Sequence, residues 1–169
     1  MNRYVDILNR IRQNAKLNWL TPSQQIAYDL LRERLNFLDE VNLWGRQGVG
    51  KTFLGWALRA QGLAVFAPRL EDVGQEQALP LQRTIVVDNL DWRRTVVREA
   101  LHHCRSHGYD KIVLITNEFV QDQVATVEIA LTDDDIAQVA ANLRSIGVAP
   151  NNDTPHSLWD LVSPVELTR

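Results

Sequence analysis

One segment of the sequence combines residue types that are suited to binding phosphate. It reads Gly45-Arg46-Gln47-Gly48-Val49-Gly50-Lys51-Thr52 and fits G-x-x-x-x-G-K-[ST], the pattern of a phosphate-binding loop or P-loop. Glycines let the backbone approach phosphate closely, and successive N–H groups at a helix N-terminus form an anion-binding nest. We expect all eight residues to contact a nucleoside triphosphate. Lys51 would reach the β- and γ-phosphates, and Thr52 would offer a hydroxyl ligand to Mg²⁺.

The residues on either side of this loop predict the local structure that the motif needs. Residues 41–44 (Val-Asn-Leu-Trp) read as a short strand, and residues 53–58 (Phe-Leu-Gly-Trp-Ala-Leu) read as a buried helix that ends near Gly62. A strand–loop–helix order makes a functional P-loop a better interpretation than a glycine-rich turn with an incidental lysine.

A second polar candidate ends an apolar strand. Residues 84–88 read Thr-Ile-Val-Val-Asp, and the unbroken β-branched run is typical of a strand buried on both faces. Asp88 at its end resembles a Walker B aspartate, which orients Mg²⁺ opposite the P-loop threonine. The alternative is an aspartate that only begins a turn.

The remaining elements predict an α/β domain. Helices are expected at residues 2–17, 22–38, 92–107 and 133–146, and further strands at 63–67, 111–116 and 126–131. Thr21 and Thr132 are the predicted N-caps of two of these helices. Residues 148–169 are expected to wrap the surface, with a short turn of helix at 156–162. Alternation of strands and helices favours a mostly parallel sheet covered on both faces, with ligand at the carboxyl ends of the strands.

Composition favours one soluble domain. The chain has 169 residues, 45% of them hydrophobic and 23% charged, with a formal net charge of -3. That charge argues against a protein that coats nucleic acid, although a local basic face stays open. Cys104 is the only cysteine, so an intrachain disulfide is excluded. Because the sequence shows no signal peptide or membrane-spanning run, we expect a cytoplasmic protein with no membrane partner.

The chain resembles the additional-strand P-loop ATPases, in particular their AAA+ and STAND-like modules. The resemblance rests on the P-loop, on Asp88 with the strand before it, and on residues 114–117, Leu-Ile-Thr-Asn. It implies a three-layer P-loop NTPase fold with a mostly parallel five-stranded sheet, and ATP and Mg²⁺ as ligands. It also implies a sensor role for Asn117, which would position water or read the γ-phosphate. The expected parts are an N-terminal helical segment (1–38), the core (39–147) and a C-terminal tail (148–169).

Two departures from the family pattern concern hydrolysis. The family places an acid directly after the Walker B aspartate, whereas this chain has Asn89, and an amide cannot accept a proton from water. Asp91, Glu118 or Glu71 are the candidate substitutes. The chain also has no room for a full helical lid, and Arg144 is a poor candidate for the arginine that such a lid supplies.

Three functions remain open. The resemblance implies an ATPase or nucleotide switch in a larger assembly, with a protein partner or a second copy of the chain, and leaves a DNA-related role open. A small-molecule kinase would use Glu71-Asp72, but residues 118–125 contain no lid arginine. A non-hydrolysing adaptor would fit Asn89. ATP is preferred to GTP because no Asn-Lys-x-Asp motif follows the fourth strand.

Several other residues allow a functional and a plainer interpretation. Arginines 93, 94, 98 and 105 form a solvated helix face, form a surface for a partner or nucleic acid, or supply an arginine finger to a neighbouring subunit. His103 and His107 have metal-ligand spacing without a clear third ligand. The five tryptophans are more simply packing anchors. Trp19 with Gln24 or Gln25 is a candidate lining of an adenine pocket.

Overall fold

A five-stranded parallel sheet forms the centre of the molecule. The computed structural model describes residues 3–75, 83–120, 124–151 and 155–162. Its strands are β1 (Glu40–Trp44), β2 (Val65–Ala67), β3 (Thr84–Leu90), β4 (Lys111–Thr116) and β5 (Ala125–Glu128). Their order in the sheet is β2-β3-β4-β1-β5, and every neighbouring pair is parallel. β4 therefore lies between β1 and β3, and the predicted sheet is confirmed.

Helices cover both faces of this sheet. The helices are α1 (Arg3–Gln13), α2 (Pro22–Phe37), α3 (Lys51–Ala60), α4 (Arg94–Ser106) and α5 (Asp133–Ser145). Residues of α2 and α3, such as Leu31 and Leu54, pack on one face with Val113 of β4. Residues of α4, such as Leu101, pack on the other face with Leu114. The predicted three-layer fold is confirmed, and none of the described helices is long and apolar enough to cross a membrane.

Three short 3₁₀ turns complete the description, at Leu17–Trp19, Leu70–Asp72 and Leu158–Leu161. The last confirms the predicted turn of helix in the tail. Leu161 and Val162 are buried there with Leu143 of α5 and with partly buried residues of α1. The predicted helix start at Asn2, part of the predicted connection between the second and third strands, and residues 152–154 and 163–169 of the predicted tail lie outside the described residues.

Some predicted bounds are wrong for local reasons. α1 ends at Gln13 rather than Leu17, and the separate turn at Leu17–Trp19 follows it. α4 begins at Arg94 rather than Trp92, because the Asp91 carboxylate accepts a hydrogen bond of 2.9 Å from the backbone N–H of Arg93 and holds the chain in a turn. β5 ends at Glu128 rather than Leu131 because its partner β1 turns into the P-loop at Gly45.

One buried carboxylate links the starts of α2 and α5. Asp135 is 1% exposed and accepts hydrogen bonds from the N–H and hydroxyl of Ser23 at 2.9 and 2.7 Å. It also accepts from the N–H and hydroxyl of Thr132 at 2.8 and 2.7 Å. Burial opposes the charge, but these donors outweigh it and hold the pKa of Asp135 below its ordinary value. The N-terminal helical segment is thereby tied to α5.

Candidate nucleotide-binding site

The P-loop connects the end of β1 to the start of α3, and its backbone requires glycine. Gly50 precedes α3 with φ +91°, a left-handed conformation that side chains rarely adopt. A Cβ on Gly45 would lie only 2.3 Å from the carbonyl oxygen of Ile129, which follows β5. The predicted strand–loop–helix context is therefore confirmed, and β5 restricts the loop from one side.

Lys51 lies in the first turn of α3 and is buried, with 6% of its surface exposed. Its ammonium donates to the carbonyl oxygens of Gly45 at 2.5 Å and Arg46 at 2.9 Å, and to Oδ1 of Asn117 at 3.1 Å. Burial lowers the pKa of Lys51 to about 8, and the nearby Asp88 carboxylate opposes that shift in part. Backbone carbonyls of the P-loop therefore fix the position of the Lys51 ammonium.

Thr52 and Asp88 meet across the site. The Thr52 hydroxyl donates to Oδ2 of Asp88 at 2.7 Å, and the N–H of Asn89 donates to Oδ1 at 2.8 Å. Asp88 is only 3% exposed, and burial raises its pKa although Thr52, Asn89 and Lys51 all act to lower it. A hydroxyl and a carboxylate are hard oxygen donors of the kind that Mg²⁺ accepts. The donor set therefore fits the magnesium ion that the fold family implies.

Asn117, directly after β4, is the fourth predicted site residue that the fold brings to this edge. Its side chain contacts Lys51, although the chain carries the two residues on different elements. The parallel register explains this contact, since Trp44 pairs with Thr116 and both strands end beside the loop. The structure thus brings Lys51, Thr52, Asp88 and Asn117 together.

Asn89, the residue after Asp88, lines the cavity beside the P-loop and carries an amide in place of the expected acid. Asn89 has φ +54°, a conformation that asparagine tolerates better than most residues, and its side-chain amide donates to the carbonyl of Pro68 at 3.2 Å. Of the candidate substitutes, Asp91 forms an ion pair with Arg93 at 2.7 Å and Glu71 forms one with Arg69 at 3.4 Å. Glu118 is exposed. Within the described part of the chain, Asp88 is the only carboxylate that lines the cavity beside the P-loop.

This cavity has a volume of about 650 Å³ and extends from the phosphate-binding residues towards α1 and α5. Its polar end contains Lys51, Thr52, Asp88 and Asn117. Its other walls are largely apolar and include Leu8, Ile11, Trp19, Val139, Leu143 and Trp159. The buried Gln24 donates to the carbonyl of Gly50 at 3.2 Å. Trp19 and Gln24 both line the cavity, whereas Gln25 bonds to Asp29 instead.

Sequence reasoning missed a contact between the tail and the P-loop. The N–H of Leu158 donates to the carbonyl of Gly48 at 2.9 Å. A Cβ on Gly48 would lie 2.4 Å from Cβ of Ser157, so the tail fits closely against this glycine. Leu158, Trp159 and Val162 then form part of the cavity wall. Residues 155–162 of the predicted tail thus pack on the site, a contact that the sequence did not predict.

The other candidate residues lie away from the cavity. Arg93 pairs with Asp91 and Arg105 pairs with Glu40, while Arg94 and Arg98 are exposed on α4, and Arg144 is exposed on α5. The rings of His103 and His107 contact each other with centroids 4.5 Å apart, and no cluster of three metal-ligating side chains occurs among the residues that the structure describes. The arginines stay open as a partner surface.

Comparisons with known proteins bear on the fold. No family model matches the sequence, and no curated protein does. The crystal structure of a DNA replication initiation factor aligns with a TM-score of 0.53 and 16% identity, over 79% of this chain and 55% of that one. This chain therefore spans about half the length of that protein.

Two further solved structures align less closely. AMPPCP-bound DnaA from Aquifex aeolicus has a TM-score of 0.48 and 16% identity, over 79% of this chain and 55% of its own. A Walker-type ATPase of Pyrococcus abyssi has a TM-score of 0.49 and 12% identity, over 78% and 59%. Taken with the sheet order and the P-loop geometry, the likeness to the initiation factor identifies the fold: this chain has a P-loop NTPase fold of the additional-strand, AAA+-like kind.

Proposed function

We propose that this protein binds ATP with Mg²⁺ at the P-loop and works as a nucleotide switch or ATPase subunit in a larger assembly. The observation that carries the proposal is the hydrogen bond of 2.7 Å between Thr52 and Asp88. These two residues come from separate motifs of the sequence. Their contact supports one site that offers both a phosphate cradle and ligands for a metal ion.

Each residue has a distinct task in this site. The loop N–H groups and Lys51 hold the phosphates, because an ammonium in a buried site interacts strongly with a phosphate anion. Thr52 and Asp88 would hold Mg²⁺. When bound, the ion neutralises charge on the β- and γ-phosphate oxygens. Asn117, whose Oδ1 accepts from the Lys51 ammonium at 3.1 Å, would bond to the γ-phosphate or to a water molecule beside it.

Turnover by the isolated chain is expected to be slow or absent. Hydrolysis needs a group that accepts a proton from water, and the amide of Asn89 can only orient water. The side-chain amide of Asn89, which lines the cavity, already donates to the carbonyl of Pro68 at 3.2 Å. These observations favour the adaptor form of the proposal, in which binding rather than hydrolysis changes the protein, or a site that a partner completes.

The proposal of a larger assembly rests on the fold likeness. The neighbour described as a DNA replication initiation factor supports a DNA-related role, and this chain matches about half of it. The kinase alternative gains no support, because Asp72 accepts hydrogen bonds from Arg69, which also pairs with Glu71. An acidic pair held in this way is poorly placed to bind a substrate.

The test is calorimetry with ATP and GTP in the presence of Mg²⁺, followed by phosphate release from the same samples. We expect ATP to bind more tightly than GTP, with little phosphate released. Lys51→Ala should abolish binding. Lys111→Ala is the matched control, because Lys111 is the first residue of β4 and lies at the amino ends of the strands, away from the P-loop, where it pairs with Asp39. Equal binding by wild type and Lys51→Ala would disprove the phosphate-cradle assignment.

A further inference from the structure

Asn42 is a polar residue in the middle of the apolar sheet. It is fully buried on β1, a strand that lies between β4 and β5, and its chain neighbours Val41 and Leu43 are core residues. Asparagine is disfavoured in strands, and a buried amide must find partners for all of its polar atoms. An aliphatic residue would satisfy this position without that requirement.

The amide of Asn42 is only partly satisfied. Its Nδ2 donates to the carbonyl of Leu114 at 3.1 Å and to the hydroxyl of Thr116 at 2.9 Å. Its Oδ1 is buried and has no hydrogen-bond partner among the residues that the structure describes. An unpaired buried oxygen lowers stability. The backbone hydrogen bonds of the parallel ladder already join β1 to β4, so the amide is not needed to pair these strands.

Both donor hydrogens of Asn42 act on the end of β4. Thr116, which is 1% exposed, accepts a hydrogen bond from Asn42, and its hydroxyl donates a hydrogen bond to the carbonyl of Glu118 at 2.7 Å. This second bond closes a small ring around the residue between them, Asn117. The bond between Thr116 and Glu118 therefore fixes the backbone of Asn117, whose Oδ1 contacts Lys51 at 3.1 Å.

We propose that Asn42 is a positioning residue for the γ-phosphate end of the site. Acting through Thr116, it fixes the turn that presents the Asn117 amide to Lys51. The inference rests on the proposed function, because it assumes that a nucleoside triphosphate binds at the P-loop. In addition, Asn42, which contacts no nucleotide, determines how well the site distinguishes ATP from ADP. The unpaired Oδ1 of Asn42 lowers the stability of the fold in return.

The experiment compares the affinities of wild type and variants for ATP and ADP with Mg²⁺, together with thermal unfolding. Asn42→Leu has a similar size and removes both the donors and the unpaired oxygen, so it should unfold at or above the wild-type temperature. Thr116→Val removes the relay hydroxyl and keeps the side-chain shape. In both variants the ratio of ATP to ADP affinity should fall about fivefold, the factor that one neutral hydrogen bond contributes. ADP affinity should stay unchanged.

Two controls separate positioning from general loosening. Asn117→Ala should lower the ATP to ADP ratio at least as much, because it removes the side chain being positioned. Val41→Ala should lower the unfolding temperature, because it leaves a cavity on the opposite face of the same strand, and should leave the ratio unchanged.

The outcomes distinguish this inference from the proposed function. A lower ratio in Asn42→Leu and Thr116→Val, with stability kept, supports the inference. An unchanged ratio in both, with a lower one in Asn117→Ala, overturns it and leaves nucleotide binding intact. A lower ratio in Val41→Ala also overturns it, since any loosening of the strand would then suffice. Failure of the wild type to bind either nucleotide overturns the proposed function and the inference with it.

Discussion

The ammonium of Lys51 lies 3.1 Å from Oδ1 of Asn117. The contact joins the first turn of α3 to the residue after β4. Among the described residues, Asn117 is the only side chain that accepts from Lys51, since the other two acceptors are backbone carbonyls of the P-loop. An ammonium has three donor hydrogens, so all are in use. A phosphate that binds Lys51 must replace or share one of these acceptors.

The first prediction follows from that contact. Asn117→Asp keeps the shape of the side chain but places a carboxylate where the γ-phosphate is expected. Repulsion between the two anions should weaken ATP binding by roughly tenfold or more, and should weaken ADP binding less. Calorimetry with both nucleotides measures the difference. Equal losses for ATP and ADP would show that Asn117 does not face the γ-phosphate.

The second prediction concerns pH. Because burial lowers the pKa of Lys51 to about 8, half of the chains lack this proton near pH 8. A bound phosphate favours the charged lysine, so ATP binding at pH 8 should take up about half a proton. Calorimetry in buffers with different ionisation enthalpies measures this uptake, which should vanish near about pH 6.5, where Lys51 is already charged. Uptake that is equal at both pH values would contradict it.

The same shift affects stability, and its sign can be stated. Between about pH 8 and the ordinary value of 10.5, the folded chain has lost the Lys51 proton that the unfolded chain keeps. The unfolded chain therefore binds more protons, and the contribution of Lys51 to the free energy of unfolding rises with pH through this interval. Lys51→Met should remove that contribution in denaturant titrations at several pH values.

The third prediction separates metal binding from folding at Asp88. Burial raises the pKa of this carboxyl group, so the charged form is held at some cost. Asp88→Asn should therefore leave the free energy of unfolding within about 1 kcal/mol of wild type, or raise it. It should remove the part of the ATP affinity that depends on Mg²⁺. Asp91→Asn is the matched control, because that carboxylate pairs with Arg93 outside the cavity.

The fourth prediction tests the tail against the P-loop. Gly48 and Gly108 have nearly equal φ values of +85° and +84°, so alanine costs about 1 kcal/mol of backbone strain at either site. At Gly48 the new Cβ would also meet Cβ of Ser157 at 2.4 Å, whereas at Gly108 no atom of the described residues lies within 4 Å. Gly48→Ala should lower the free energy of unfolding more and should change the fluorescence of Trp159. Equal losses without a fluorescence change would show that the tail does not rest on Gly48 in solution.

The sequence predicts the centre of the site because strand patterns carry the information. Asp88 follows an unbroken apolar run within β3, Asn117 follows β4, and the carboxyl ends of parallel strands lie at one edge of a sheet. Their meeting with the P-loop residues therefore follows from periodicity and topology. The roles of these residues in binding and turnover stay predictions.

Other features depend on contacts that periodicity does not encode. Ser157 and Leu158 lie in a short polar segment far along the chain from Gly48, so no pattern links them. The sequence pattern places Asn42 in a strand but does not show that its amide bonds to Leu114 and Thr116 of β4. The start of α4 depends on the hydrogen bond that the Asp91 carboxylate accepts from the N–H of Arg93, and a helical pattern in the sequence does not show this bond.

The carboxylate of Asp135 gives α2 and α5 a common pivot. Oδ2 of Asp135 accepts hydrogen bonds both from Ser23 of α2 and from Thr132, the N-cap of α5, and Oδ1 accepts a further bond from Ser23. A movement of one helix start relative to the other would therefore leave buried donors unpaired. α2 in turn reaches the P-loop through Gln24, which bonds to Gly50. A displacement of α5 would therefore shift the start of α2 and, through Gln24, the carbonyl of Gly50 in the P-loop. A displacement of the P-loop would affect α5 through the same hydrogen bonds.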